Sequence, residues 1–241
     1  MSDLIPNGYC ATVRRLVCDR RGIALTEFAL IFPLILLIGG WGIELAFLAR
    51  TNMQISQYAL NLADNASRVG IDNGSGVTNL RETDVNDVLQ GLKLEGNGIG
   101  LTTHGRITLS SLENTQQAYD TKLTQRIHWQ RCIGVRSGAG YDSSYGATKV
   151  TDGVTNASNN AGNDMPDGMG DVGSKVNAPP NGGVMFVEIN YDYRPLFGTL
   201  FVQPQILHYV GSFMVRDNRN FQQLFNPDPA AVRMTCDRHV A

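Results

Sequence analysis

Charged side chains are scarce in this sequence, and the shortage is concentrated in one place. Asp, Glu, Lys and Arg make up 17% of the 241 residues, against roughly 25% in an ordinary soluble domain. Between residues 23 and 49 only Glu27 and Glu44 carry a charge. This distribution is atypical of a chain that is soluble along its whole length, and it indicates a membrane-directed segment.

Dense lysine or arginine clusters are also missing after residue 22, so we expect no nucleic-acid-binding surface. The sequence has no Walker, dinucleotide-binding or Gly-x-Ser-x-Gly motif, and no HxxxH or HExxH pair that would suggest a metal site. We therefore expect no enzyme activity, no cofactor and no metal centre. The histidines stand apart from one another, at His104, His128, His208 and His239.

The apolar segment predicts a transmembrane helix over residues 23–49. At 1.5 Å per residue it is about 40 Å long, enough to cross a hydrocarbon core of roughly 30 Å. A buried core helix is the alternative, but such helices are rarely apolar on every face. Four arginines precede the segment, whereas only Arg50 closely follows it. The positive-inside rule therefore predicts a cytoplasmic amino terminus and a periplasmic remainder. The four arginines are Arg14, Arg15, Arg20 and Arg21.

The string RRGIALTEF, residues 20–28, is the most informative motif in the chain. It resembles the cleavage site of type IV prepilins, and more closely the TadE-like minor pseudopilins of tight-adherence (Flp) pilus systems. The resemblance implies a leader over residues 1–22 that a prepilin peptidase removes between Gly22 and Ile23. Glu27 and Phe28 then become the fifth and sixth mature residues, which the family uses in assembly and recognition.

A physical reason supports the role of Glu27. A carboxylate placed deep in a bilayer costs a few kcal/mol. Cleavage would give Ile23 a free α-ammonium group, which could pair with Glu27 of a neighbouring subunit. Such a pair would offset the cost of burial and set the register of a helix bundle.

Two other interpretations of the amino terminus stay open. The chain could be an uncleaved, signal-anchored periplasmic protein that binds or scaffolds a partner. Alternatively, signal peptidase could cut after the small residues of the Gly40-Trp41-Gly42 string, making Ile43 the first mature residue. A twin-arginine export signal matches the surrounding residues poorly.

The rest of the sequence predicts an α+β fold in which a long amino-terminal helix packs on a small antiparallel sheet, as in pilins. Apolar residues recur at helical spacing over residues 50–70, which predicts an amphipathic extension of the transmembrane helix. Residues 71–241 then form the periplasmic α+β domain. A short helix is expected over residues 84–92, capped by Thr83 or Asp84. About four strands are expected, within residues 99–109, 121–135, 184–193 and 207–215.

A Gly-, Asn-, Asp- and Ser-rich insertion interrupts this domain over residues 137–183. It contains few apolar residues, so we expect a flexible loop. Asp164, Asp167 and Asp171 could offer oxygen ligands to calcium, but their spacing does not match an EF-hand. The solvated-loop interpretation is therefore favoured.

The cysteines divide by compartment. Cys10 and Cys18 lie in the expected cytoplasmic leader, where thiols stay reduced, whereas Cys132 and Cys236 lie in the expected exported part, where disulfides persist. We predict a Cys132–Cys236 bridge, with two unpaired thiols as the alternative.

Together these features predict a minor pseudopilin for assembly of a Flp/type IVb pilus. Its expected location is the bacterial inner membrane, as a single-pass protein that could also associate with the pilus. The expected partners are a prepilin peptidase, other pilins and pseudopilins, the pilus assembly machinery and the membrane itself.

Overall fold

A computed structural model describes residues 22–241 and has an α+β fold. One long helix near the amino terminus packs on a five-stranded antiparallel sheet, in agreement with the predicted fold class. The leader, including Cys10 and Cys18, lies outside the described residues.

Helix α1, Ile23–Arg68, is continuous for 46 residues and includes Pro33. Its first half is exposed and apolar, whereas its second half buries a stripe of side chains spaced by three, four or seven residues. This spacing places the stripe on one face of the helix. The buried residues are Glu44, Thr51, Ile55, Ala59, Leu62, Ala63, Ala66 and Ser67.

A reversal of the chain follows α1. Gly70 has a φ of +147°, and a Cβ on it would lie 2.4 Å from the Thr78 side chain, so the turn requires glycine. Strands β1, Ile71–Asp72, and β2, Thr78–Asn79, then form a small separate ribbon.

Helix α2, Glu82–Glu95, is longer than the predicted helix and has a different cap. The residue before its first turn is Arg81, and Asp84 lies inside the helix, where its carboxylate accepts a hydrogen bond from the Arg81 backbone N–H at 2.9 Å. Asp84 therefore supports the cap from the third helical position instead of being the cap.

The first long strand begins later than the sequence pattern predicted. Gly96–Ile99 forms a 3₁₀ turn and Leu101–His104 a short helix, α3, because Gly100 adopts a left-handed conformation that redirects the chain. Strand β3 starts only at Gly105.

The main sheet consists of β3 Gly105–Thr115, β4 Thr124–Ile133, β5 Asn163–Asp164, β6 Gly182–Tyr193 and β7 Gln205–Met214. Their order is β5-β4-β3-β6-β7, and every pair is antiparallel. A β-bulge at Ser111/Leu112 interrupts the β3–β4 register. Strands β4, β6 and β7 lie close to those predicted, β3 is shifted by six residues from the predicted 99–109, and β5 is a two-residue edge strand.

The core lies between α1 and one face of this sheet. Ile55 and Ala59 of the helix belong to the same buried apolar cluster as Ile107 and Val187 of the sheet. At Gly211 of β7 the backbone passes so close to the helix that a Cβ would lie 2.6 Å from the Ala59 carbonyl oxygen. The sequence thus provides glycine at this close approach of helix and sheet.

Residues 137–183 lie against the other face of the sheet. Met169 joins Phe186 of β6 in a second apolar cluster, and Ser143 and Ser144 donate hydrogen bonds to the buried Glu188 carboxylate. The segment also supplies β5, which pairs with β4. The insertion therefore covers a sheet face that bears buried polar groups.

Candidate functional site: the apolar helix segment and its carboxylates

The predicted processing site lies at the start of α1. Gly22 immediately precedes the helix and Ile23 is its first residue, and both are exposed. Gly22 has a φ of −96°, and a Cβ added to it would meet no atom within 4 Å. Neither backbone conformation nor packing in the described chain requires glycine at this position.

Glu27 and Phe28 lie one turn further along the helix. Both are exposed, and the Phe28 ring stacks on that of Phe32 with centroids 5.1 Å apart. Within residues 22–241, Glu27 forms no ion pair. The acid that the motif singles out is therefore available to groups outside its own domain.

Glu44 is the opposite case. Its side chain is fully buried, and Oε1 accepts hydrogen bonds from the Tyr193 hydroxyl at 2.7 Å and the Leu196 backbone N–H at 3.1 Å. Oε2 accepts one from the Phe197 backbone N–H at 3.0 Å. We call this arrangement the Glu44 clasp. It joins α1 to the loop that follows β6.

Tyr193 brings the hydroxyl of the clasp to the helix. It is the last residue of β6 and fully buried, and the strand ends there because Pro195 cannot donate to a β-ladder. Burial, together with the carboxylate of Glu44, raises the pKa of the Tyr193 hydroxyl, which thus remains a donor.

Sequence reasoning identified Glu44 as a charge in an apolar stretch but gave it no role. The available signal was the acid itself, since a carboxylate among apolar residues needs donors. The donors are about 150 residues away in the chain, so no local pattern could have named them.

The exposed half of α1 is consistent with a single-pass membrane anchor. Among the described residues it is the one helix that is long and apolar enough to cross a bilayer, and none of its most apolar 18-residue window is buried. Gly22, Ile23, Glu27 and Phe28 all lie at the end of this helix that is remote from the sheet.

The predicted Cys132–Cys236 disulfide is confirmed. It joins β4 to the carboxy-terminal segment, with the two Cα atoms 4.8 Å apart. The buried Arg106 guanidinium donates to the Cys236 carbonyl oxygen and, at 2.8 Å, to the Arg238 carbonyl oxygen. The bridge and this arginine together hold the end of the chain against the sheet.

Two buried ion pairs lie elsewhere in the domain. The guanidinium of Arg131 donates to the Glu82 carboxylate, with Nε 2.9 Å from Oε2. His128 Nδ1 lies 2.8 Å from Glu113 Oε2. Burial opposes the charged form of His128, but the Glu113 carboxylate outweighs it and raises the pKa of the imidazole above its usual range.

No acidic cluster suited to a metal ion occurs in the described part of the chain. Of the three aspartates that could have bound calcium, Asp164 lies in β5, 3.7 Å from Arg126 Nε. Asp171 lies in a turn, where its backbone carbonyl accepts a hydrogen bond from the Ser174 N–H.

Comparison with protein-family models, curated proteins and solved structures finds no match to this chain. Its functional assignment therefore depends on the amino-terminal motif and on the geometry of the two carboxylates.

Proposed function

We propose that this protein is a TadE-like minor pseudopilin that acts in assembly of a Flp/type IVb pilus. A prepilin peptidase removes the leader between Gly22 and Ile23, and the mature chain stays in the bacterial inner membrane with its domain in the periplasm. There it joins other pilins or pseudopilins through the exposed half of α1.

The contrast between the two carboxylates carries this proposal. Glu44 obtains three hydrogen-bond donors from its own chain, whereas Glu27 is exposed and has no ion-pair partner within residues 22–241. An acid exposed to lipid needs compensation. The α-ammonium that cleavage creates on Ile23 of a neighbouring subunit is a suitable partner. Ile23 and Glu27 are about 6 Å apart along the helix, so an axial offset of that size between subunits brings the two groups to the same membrane depth.

Gly22 is compatible with this proposal. The fold does not require glycine there, since a side chain would meet nothing in the described chain. The absence of a side chain at Gly22 leaves the Gly22–Ile23 peptide bond accessible to a protease on the cytoplasmic side of the membrane.

The packing of α1 favours retention of the whole helix over cleavage by signal peptidase. Gly40 contacts the ring of Phe201, and Glu44 holds the same loop. A cut after Gly42 would remove the first of these contacts. Cleavage after Gly22 leaves both intact.

The deciding experiment is co-expression with a prepilin peptidase, followed by mass measurement of the purified chain. The wild-type chain should lose residues 1–22 and begin at Ile23. Gly22→Val should retain the leader, because a β-branched side chain obstructs the protease. Gly98→Val is the matched control, since Gly98 is also exposed with open space around its Cβ position, and this variant should be cleaved normally.

Recovery of the wild-type chain with residues 1–22 attached, in the presence of an active peptidase, would contradict the proposal. That outcome favours the uncleaved, anchored scaffold. A mature terminus at Ile43 would instead support signal peptidase.

A further inference from the structure

The loop between β6 and β7 extends toward the apolar half of α1. The Phe197 and Phe201 rings pack edge to face with centroids 5.7 Å apart. Phe201 lies against Gly40, where an added Cβ would come within 3.0 Å of its ring. The Glu44 clasp holds the start of the loop, so the loop has a defined position beside the helix.

This loop is apolar and poorly covered by its own domain. No Asp, Glu, Lys or Arg occurs in residues 195–215, and Leu196, Phe197 and Leu200 are 53%, 46% and 68% exposed. A cleft of about 760 Å³ separates the loop from the helix. Its helix wall includes Pro33, Leu36, Leu37, Gly40 and Ile43.

The depth of the β6–β7 loop in the membrane follows from the rise per residue of α1. Gly40 lies about 26 Å along α1 from Ile23, and Glu44 about 32 Å, at 1.5 Å per residue. If Ile23 lies at the inner edge of a hydrocarbon core of roughly 30 Å, Gly40 lies inside the outer leaflet and Glu44 at its boundary. Phe201, which contacts Gly40, therefore lies below the membrane surface.

Two arginines lie above the loop and favour lipid as the occupant of the cleft. Arg50 and Arg194 line a common pocket on the far side of the clasp, and both are exposed. Neither has an ion-pair partner in the described part of the chain. Long cationic side chains just above a hydrocarbon boundary suit phospholipid headgroups.

We propose that the β6–β7 loop inserts into the outer leaflet of the membrane and that the cleft between loop and helix takes a phospholipid acyl chain. The apolar loop and the apolar helix then form one continuous lipid-facing surface, and the Glu44 clasp is the polar group at its upper edge. This proposal rests on the membrane anchor and is independent of leader cleavage and of pilus assembly.

Depth-dependent quenching of tryptophan fluorescence tests insertion of the loop directly. Leu200→Trp, in a Trp41→Phe background, places an indole at the loop tip while the buried Trp129 supplies a constant signal. The full chain is reconstituted in vesicles of phosphatidylcholine and phosphatidylglycerol. Acyl-brominated phosphatidylcholine should quench most of the added emission, and aqueous iodide should quench little of it.

Val172→Trp in the same background is the matched control. Val172 is 100% exposed and belongs to the insertion that covers the other face of the sheet, so its indole should respond to iodide and not to brominated lipid. Leu196→Trp repeats the test at a second exposed loop position, should Leu200→Trp fold poorly.

Two results would overturn the proposal. Quenching at position 200 by iodide and not by brominated lipid would place the loop in water. Protection from both quenchers that increases with the protein-to-lipid ratio would show that the helix of a second copy, and not lipid, fills the cleft.

Discussion

Loss of the Glu44 carboxylate should destabilise the domain, and Glu44→Ala tests this most directly. The variant leaves the Tyr193 hydroxyl and the Leu196 and Phe197 amides without their acceptor. A buried donor left unpaired costs about 1–3 kcal/mol. Because the two amides belong to a partly exposed loop and can bind water again, we expect a total of about 3 kcal/mol.

Thermal unfolding of the full chain in detergent micelles, followed by circular dichroism, measures this loss. At about 2–4 °C per kcal/mol for a domain of this size, the midpoint should fall by about 6–12 °C. Glu44→Gln should cost less, about 1–2 kcal/mol, since it keeps one acceptor oxygen but turns an amide NH₂ toward a backbone N–H.

Glu27→Ala is the matched control for this experiment. It removes the other acid of the apolar segment, which has no partner in the described chain, so the unfolding midpoint should not change. Unfolding of Glu44→Ala at the wild-type temperature would refute the stabilising role of the Glu44 clasp, as would an equal fall of the midpoint in Glu27→Ala.

Two further predictions concern the domain itself. Replacing Cys132 and Cys236 together by alanine should lower the free energy of unfolding by up to about 4–5 kcal/mol, the chain-entropy value for a loop of this length, as a urea titration would show; an unchanged midpoint would contradict it. Glu113 raises the pKa of His128 in the folded state. The ion pair between them therefore stabilises the fold fully below the usual histidine pKa, about 6.5, and this stabilisation is lost as pH rises through the folded pKa. The free energy of unfolding in urea should fall between pH 5.5 and 8.5, and it should fall less in His128→Gln; an equal fall in the two proteins would contradict the pairing of His128 with Glu113.

Much of the architecture followed from sequence because it depends on local patterns. The unbroken apolar run and the helical spacing after it predicted one long helix, and α1 ends two residues before the expected position 70. Alternating and β-branched runs located β4, β6 and β7 closely, because side chains of a half-buried strand alternate between two environments, whereas β3 was predicted six residues too early. Compartment reasoning alone identified the pairing of Cys132 with Cys236.

Local misassignments arose where a tertiary or capping contact overruled propensity. The apolar residues near Ile99 suggested strand, but the left-handed Gly100 turned them into short helical segments. Asp84 suggested a cap, but its carboxylate reaches back to Arg81 from inside the helix.

The sequence by itself determined the long apolar helix and the α+β class of the fold, because hydropathy and residue spacing encode them within short windows. Only the tertiary structure distinguished Glu44, which hydrogen-bonds to its own domain, from Glu27, which does not. The same holds for the β6–β7 loop beside Gly40 and for residues 137–183 against the second sheet face. These arrangements depend on contacts between residues far apart in the chain, and the free energy that selects them comes from burial and donor–acceptor geometry, which no single stretch of sequence contains.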